Sequence, residues 1–319
     1  MIRLISPREL ARLGILGMNQ RNHGYIGRYN RRQNYQLVDN KLKTKAAALA
    51  NHIPVPELYG VIEHQFEVRR LDALLAERTS FVMKPVQGSG GKGILVIAGR
   101  RGGAFIKTCG TAIGASDLRR HASNTLAGLY SLGGRTDHVM IESLIEFDPQ
   151  FAQYSYEGVP DVRVIIYKGV PVMAMIRCAT HRSGGKANLH QGAVGVGLDM
   201  ATGRSICAVQ QGRIVDVHPD TGARFDDLRI PHWERILDFA SRCAEMTGLG
   251  YLGADIVFDY HKGPMLLELN ARPGLAIQLA NQCGLRHRLR AADRIAVEAT
   301  DRAERVRLAQ QRFGVACDA

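Results

Sequence analysis

Cysteine is sparse in this 319-residue chain and tryptophan almost missing: six cysteines and one tryptophan. Cys109, Cys178, Cys207, Cys243, Cys283 and Cys317 stand singly, with no C-x-x-C pair and no dense spacing. A disulfide scaffold is thereby excluded, and the expectation is a cytoplasmic protein with reduced thiols. No window holds the ~18 uninterrupted apolar residues of a membrane span, and the N-terminal stretch has charges at Arg3, Arg8, Glu9 and Arg12 in place of an apolar signal core. Aromatics make up only 6% of the chain, so a base-stacking platform is not visible either.

What is abundant is positive charge, +12 in all, and it is unevenly placed. Residues 1–45 hold ten Lys/Arg against Glu9 and Asp39, and residues 285–312 hold eight Arg against four acids. These two ends account for the whole surplus, while 45% hydrophobic and 23% charged residues give an ordinary globular composition.

The first forty residues, with Gly14, Gly17, Gly24 and Gly27, read as a short helix and then an irregular basic arm. A helix capped by Asp39 or Asn40 runs to His52, where Ile53-Pro54-Val55-Pro56 stops it. Helices are also expected near Val68–Glu77 and Ala115–Leu132 and over Trp233–Thr247, and one long Arg-faced helix from Leu285 to Val306. Strands are expected at Phe81–Pro85 and Ile94–Ala98 around a glycine-rich tip and at His138–Ile145. Asp161–Tyr167 and Val170–Arg177 should pair over Lys168-Gly169, as should Gly253–Asp259 and Met265–Leu269.

The segment Lys84-Pro85-Val86-Gln87-Gly88-Ser89-Gly90-Gly91-Lys92-Gly93 has the composition of a phosphate-binding hairpin. Glycines admit backbone N–H groups close to phosphate oxygens, and a lysine entering from the strand supplies a point charge. It is not a Walker A loop, because Lys92 is followed by Gly93 and the chain continues as strand. Taken alone, it reads equally well as a flexible tip with solvated lysines. On antiparallel neighbours, Glu268 and Asn270 share one face and Asp255 can lie opposite, a hard all-oxygen set suited to Mg²⁺. The bland alternative, a polar outer face, is weakened by Ile256, Val257, Leu266, Leu267 and Leu269 on the same strands. Lys186-Ala187-Asn188-Leu189-His190-Gln191-Gly192 reads as a polar loop.

The order of these pieces, from Lys41 through Lys84 and its tip, Ile141-Glu142-Ser143-Leu144, Asp161-Val162-Arg163 and Asn188-Leu189-His190 to Glu268-Leu269-Asn270-x-x-Pro273-Gly274, resembles the ATP-grasp superfamily. Within it, the likeness is to the alpha-L-glutamate ligase (RimK-related) branch, from about Leu37 to Leu279. The resemblance implies an α+β ATP-grasp fold: two α/β lobes with antiparallel sheets clamping ATP, and a preceding N-terminal domain absent or truncated. It divides the chain into a basic arm (1–37), an ATP-grasp domain (38–284, lobes about 38–140 and 141–284) and an Arg-rich C-terminal helix (285–319).

By the same resemblance Lys41 and Lys84 contact ATP phosphates and Ser89, Gly90, Gly91, Lys92 and Gly93 form a lid. Glu142, Ser143 and Leu144 make the adenine hinge, and Asp161 faces the ribose. Arg163, Lys186 and Asn188 serve the transferring phosphoryl group, and Asp255, Glu268 and Asn270 hold Mg²⁺, with Mn²⁺ as an alternative ion. His190 and Arg272 are assigned to the substrate. Phe147–Pro160 looks longer than in relatives, and Arg272 stands where many have a small residue. The implied activity is an ATP-dependent carboxylate–amine ligase acting through an acyl phosphate on an acidic amino acid or peptide, with self-association left open. The competing readings are a nucleic-acid or anionic-surface binding protein, which lacks a reading motif, and an ATP-binding homologue without ligase chemistry.

Overall fold

The computed structural model describes residues 5–314 apart from Ser89. The chain divides into two compact units, one of Met1–Asp39, Ala47–Pro54 and Phe147–Ala319, the other of Asn40–Ala46 and Val55–Glu146. Six helices organise the description: α1 (Pro7–Arg12), α2 (Lys41–Ala50), α3 (Ala115–Leu126), α4 (Trp233–Thr247), α5 (Leu285–Glu298) and α6 (Arg302–Phe313).

The smaller unit carries a six-stranded antiparallel sheet of β1 (Leu58–Ile62), β2 (Phe81–Pro85), β3 (Leu95–Arg101), β4 (Ala104–Lys107), β5 (Ala112–Ile113) and β6 (Val139–Glu142). Its spatial order is β1-β6-β2-β3-β4-β5. Strand alternation puts Phe81, Met83, Ile97, Val139 and Ile141 on one face, where Leu118, Ala122 and Leu126 of α3 cover them. Helix α3 begins where Asp117 reaches back to accept from the Gly114 N–H at 2.9 Å. It is shorter than the expected Ala115–Leu132, because the Gly128 turn ends it.

The larger unit carries a seven-stranded antiparallel sheet: β7 (Asp161–Tyr167), β8 (Val170–Cys178), β9 (Val194–Leu198), β10 (Ser205–Gln210), β11 (Arg213–Val215), β12 (Tyr251–Asp259) and β13 (Gly263–Asn270), ordered β11-β10-β9-β8-β7-β12-β13. Every residue of β12 is buried, so this strand is the middle of the core. Helix α4 packs on β7 and β12, and α5 and α6 pack on β8. In register, Asp255 of β12 faces Arg163 of β7 on one side and Glu268 of β13 on the other, and Asp161 faces Arg177 of β8.

Three expectations are corrected. Of the first forty residues, those described, 5–40, are not an irregular arm. They form helical turns held to the larger unit by Asn30, whose side chain exchanges hydrogen bonds of 2.7 and 2.8 Å with the Tyr251 backbone, and by Arg21, which donates to Pro273 O at 2.9 Å. The long C-terminal helix is two helices, because Asp301 caps α6 by accepting from the Glu304 N–H at 2.8 Å. The helix near Val68–Glu77 is a 3₁₀ segment, Gln65–Arg70, followed by a single α turn, Leu71–Leu74.

Candidate functional site

In the smaller unit the central object is a carboxylate held by two ammonium groups. Glu142 ends β6 with its side chain 3% exposed, and Lys84 of β2 pairs with its Oε1. Lys45, one turn after Lys41 on α2, lies 3.0 Å from its Oε2 and also donates to Pro56 O. Two buried ammonium groups thus share the Glu142 carboxylate, and such paired cations suit an incoming anion such as a phosphate. Lys41 is placed differently, donating to Gly88 O at 2.7 Å at the base of the glycine-rich tip.

The rest of the expected hinge is already engaged. The Ser143 N–H donates to Glu57 O at 2.8 Å, and Ser143 Oγ accepts from the Glu57 N–H at 3.0 Å. The Glu142 carboxylate is turned to the lysines, and Leu144 is half-buried.

The tip is pinned at both ends. Gly88 bridges to Ser131, whose Oγ donates to Asp137 at 2.6 Å, and Asp137 also accepts from the Gln87 N–H. At the far end Gly93 has φ +73°, and a Cβ there would lie 2.5 Å from the Tyr130 ring, so only glycine suits this contact. Gly93 O is 3.0 Å from His121 Nε2, and His121 stacks on Tyr130 at 5.3 Å. Burial holds the His121 imidazole below its ordinary value of 6.5. Gly90, Gly91 and Lys92 are exposed, and Ser89 lies outside the described residues.

In the larger unit, strand register assembles a four-charge cluster. Arg163 donates bidentately to Asp255, Nε to Oδ1 at 2.7 Å and Nη2 to Oδ2 at 2.6 Å. Arg177 donates bidentately to Asp161 at 2.5 and 2.6 Å, and its Nη2 reaches Asp255 Oδ2 at 2.8 Å. Asn270 Nδ2 donates to the same oxygen at 3.0 Å. Burial raises the Asp161 carboxyl to about 6 against the pull of Arg177, whereas at Asp255 the effect of burial is outweighed by Arg163 and Arg177, and its pKa falls. For Arg177 the two carboxylates outweigh burial and push its pKa up. Asp161 is thus a partner of Arg177 in this structure.

Among the described residues no group of three or more His, Cys, Asp or Glu side chains forms a metal cage. The two carboxylates and amide of Asp255, Glu268 and Asn270 nevertheless fit a hard cation in kind. Glu268 is the direct cross-strand partner of Asp255, and the nitrogen end of Asn270 is committed to Asp255, which leaves its oxygen as the end for a cation.

The loop after β8 is closed by Thr180 Oγ1 donating to Gly192 O at 3.0 Å. Lys186 and His190 are exposed there, and Asn188 Oδ1 caps the turn by accepting from the His190 N–H at 3.0 Å. Among the described residues none of these three side chains hydrogen-bonds to the Asp255 cluster. Arg272 is exposed, its guanidinium 5.1 Å from the centre of the Tyr35 ring.

Two residues of these clusters escape a reading of the sequence. Lys45 was signalled by its i,i+4 relation to Lys41, which puts both on one helix face. Arg177 was signalled only by its place at the end of β8, opposite Asp161 once the hairpin closes.

Comparison with solved structures gives distant likenesses. The ATP-grasp ligase PsnB, solved with its minimal precursor, is 17% identical, with 85% of this chain and 63% of that one covered and a TM-score of 0.45. D-cycloserine synthetase DcsG is 16% identical over 85% of this chain and 71% of that one, TM-score 0.43. The D-alanine-D-alanine ligase from Coxiella burnetii is 13% identical over 88% and 59%, TM-score 0.45. The chain thus spans about 63% of the length of PsnB. No curated protein matches its sequence. The model of one family, described as sugar-transfer associated ATP-grasp, matches residues 20–294, which takes in both antiparallel sheets and both charged clusters, and the chain belongs to that family.

Proposed function

We propose that the chain is an ATP- and Mg²⁺-dependent carboxylate–amine ligase, joining glutamate or another amino acid to a peptide or small-molecule acceptor. In this reading a carboxylate oxygen attacks the γ-phosphorus of ATP and ADP leaves. An amine nitrogen then attacks the acyl-phosphate carbon, phosphate leaves, and the amine proton passes to solvent. The observation that carries the reading is the Arg163–Asp255–Arg177–Asp161 cluster with Glu268 opposite Asp255, because it sets guanidinium donors beside an all-oxygen cation set.

Lys84 and Lys45, the two ammonium groups at Glu142, would meet phosphate oxygens. Arg163, Arg177 and Lys186 would hold the transferring phosphoryl group, Lys186 from its loop. Asp255, Glu268 and Asn270 would hold Mg²⁺, which when bound neutralises phosphate charge. Preference for an acidic substrate rests on the narrower RimK-related likeness and on the exposed cations Lys186 and Arg272, which a carboxylate would match in charge.

The test incubates the protein with Mg-ATP and a panel of amino acids and acidic peptides, following ADP release and ligated product together. The family carries the description sugar-transfer associated, so amino sugars and uronic acids belong in the panel. ADP release that no acceptor stimulates, with no amide product, would sink the ligase reading.

A further inference from the structure

The loop from Thr180 to Gly192 follows β8 almost directly, and β8 carries Arg177 of the charged cluster. Only Thr180, Ser183 and Gly192 of this loop are buried, so its own packing does little to fix Lys186, Asn188 and His190 in one place. Two other segments of the larger unit hold it from outside. One is Phe147–Pro160. The other is the turn from Asp216 to Phe225 after β11, closed by the Phe225 N–H donating to Asp216 O at 3.1 Å and by the His218 N–H donating to Ala223 O at 2.8 Å. The ligase reading gives neither segment a role.

Both segments converge on Ala179, a fully buried residue between Arg177 and the loop. Its carbonyl accepts from the Tyr156 N–H at 2.8 Å and lies 3.0 Å from Nε2 of the buried His218, while its N–H donates to Ser155 Oγ at 3.2 Å. Ala179 O can only accept, and the Asp220 N–H, 3.3 Å from His218 Nδ1, can only donate. Both neighbours therefore select the imidazole tautomer with its proton on Nε2. Two residues further on, the His181 N–H donates to Asp220 Oδ2 at 2.7 Å. The two supporting segments are tied to each other by Thr221 Oγ1, which donates to Gln153 O at 2.5 Å, and by the stack of Tyr154 on Phe225. Their approach to the loop is close, since a Cβ on Gly158 would run into Gly185 O.

We propose that His218 and Asp220 are positioning residues of the ligase reaction. They fix the peptide groups at Ala179 and His181, and through them the course of the loop that carries Lys186 to the transferring phosphoryl group. What Lys186 does rests on the ligase reading, whereas what holds its loop is read from these contacts alone. Asp220 is exposed and commits its carboxylate to a single loop N–H, so its effect is local and global stability owes it little.

Asp220→Ala and Asp220→Asn in the full chain test this, read by amide hydrogen exchange over residues 179–192 and by ADP release with the substrate panel. Asp220→Ala is expected to speed exchange from His181 to Lys186 about tenfold with the thermal midpoint unchanged, because the His181 N–H loses its partner. Turnover should fall about tenfold while the apparent ATP constant stays within about twofold of wild type. Asp220→Asn keeps an acceptor oxygen and should restore both readouts. In a Lys186→Ala chain, Asp220→Ala is expected to cost much less than in wild type, since it acts through that lysine's loop. His218→Gln, which keeps an N–H near the Nε2 position, should outperform His218→Leu by the same measures, and if the leucine variant fails to fold the Asp220 pair decides. Wild-type exchange in Asp220→Ala overturns the proposal, as does a loss of turnover fully additive with Lys186→Ala. So does an Asp220→Asn variant as impaired as Asp220→Ala, which would make the charge itself the working part. A wild-type chain that releases no ADP sinks the ligase reading instead, and the exchange comparison then decides alone whether the Asp216–Phe225 turn holds the loop.

Discussion

Lys84 and Glu142 form a buried ion pair on neighbouring strands, diagonal to the register in which Val82 faces Glu142. Both side chains are almost fully withdrawn from water, and Lys45 joins the same carboxylate from α2. Glu142 thus serves two buried ammonium groups, and its removal is the most direct test of that arrangement.

Glu142→Gln removes the carboxylate that two buried lysines share. Breaking a buried pair at one partner costs about 3–5 kcal/mol, so the denaturant midpoint should fall markedly. Saturating ATP should recover part of the loss, because phosphates restore the missing negative charge. A loss under about 1 kcal/mol would mean that the lysines are better solvated than their burial implies.

Glu268→Gln keeps size and strand pairing but removes one of the two carboxylates proposed to hold Mg²⁺. ADP release should collapse while thermal unfolding stays within a few degrees of wild type, since Glu268 is half-buried at the sheet's edge strand. Unchanged ADP release would remove Asp255, Glu268 and Asn270 from the chemistry.

His121 contributes a pH dependence of defined sign. Burial depresses its pKa in the folded state below 6.5, so as pH falls through 6.5 the unfolded chain takes up the proton first. The contribution is fully present above pH 6.5 and is lost as pH falls toward the folded value. His121→Asn should flatten that part of the stability profile measured by thermal unfolding. A wild-type profile indistinguishable from the variant's in that window would refute the assignment.

Arg272→Ser removes the cation over Tyr35, an exposed contact worth about 0.5–1 kcal/mol, so stability should barely change. The ranking of carboxylate substrates is expected to change more than the apparent ATP constant. A tenfold rise in that constant with the ranking untouched would place Arg272 at the nucleotide.

Much of the fold was legible because its signals are local. Runs rich in β-branched residues over Asp161–Tyr167 and Val170–Arg177 specified strands, and the turn at Lys168-Gly169 specified that these two pair. The apolar spacing from Trp233 specified α4, and the two-residue step from Glu268 to Asn270 put both on one face. Tertiary structure alone decided which distant groups share a charge. Lys84 reaches Glu142 because β6 lies beside β2, and Arg177 bridges Asp161 and Asp255 because β7 sits between β8 and β12. The periods of 2 and 3.6 residues orient a side chain relative to its own strand or helix. The neighbour it meets depends on strand order and helix docking, and those follow from burying the apolar faces of elements that lie far apart in the chain, as β7 and β12 do.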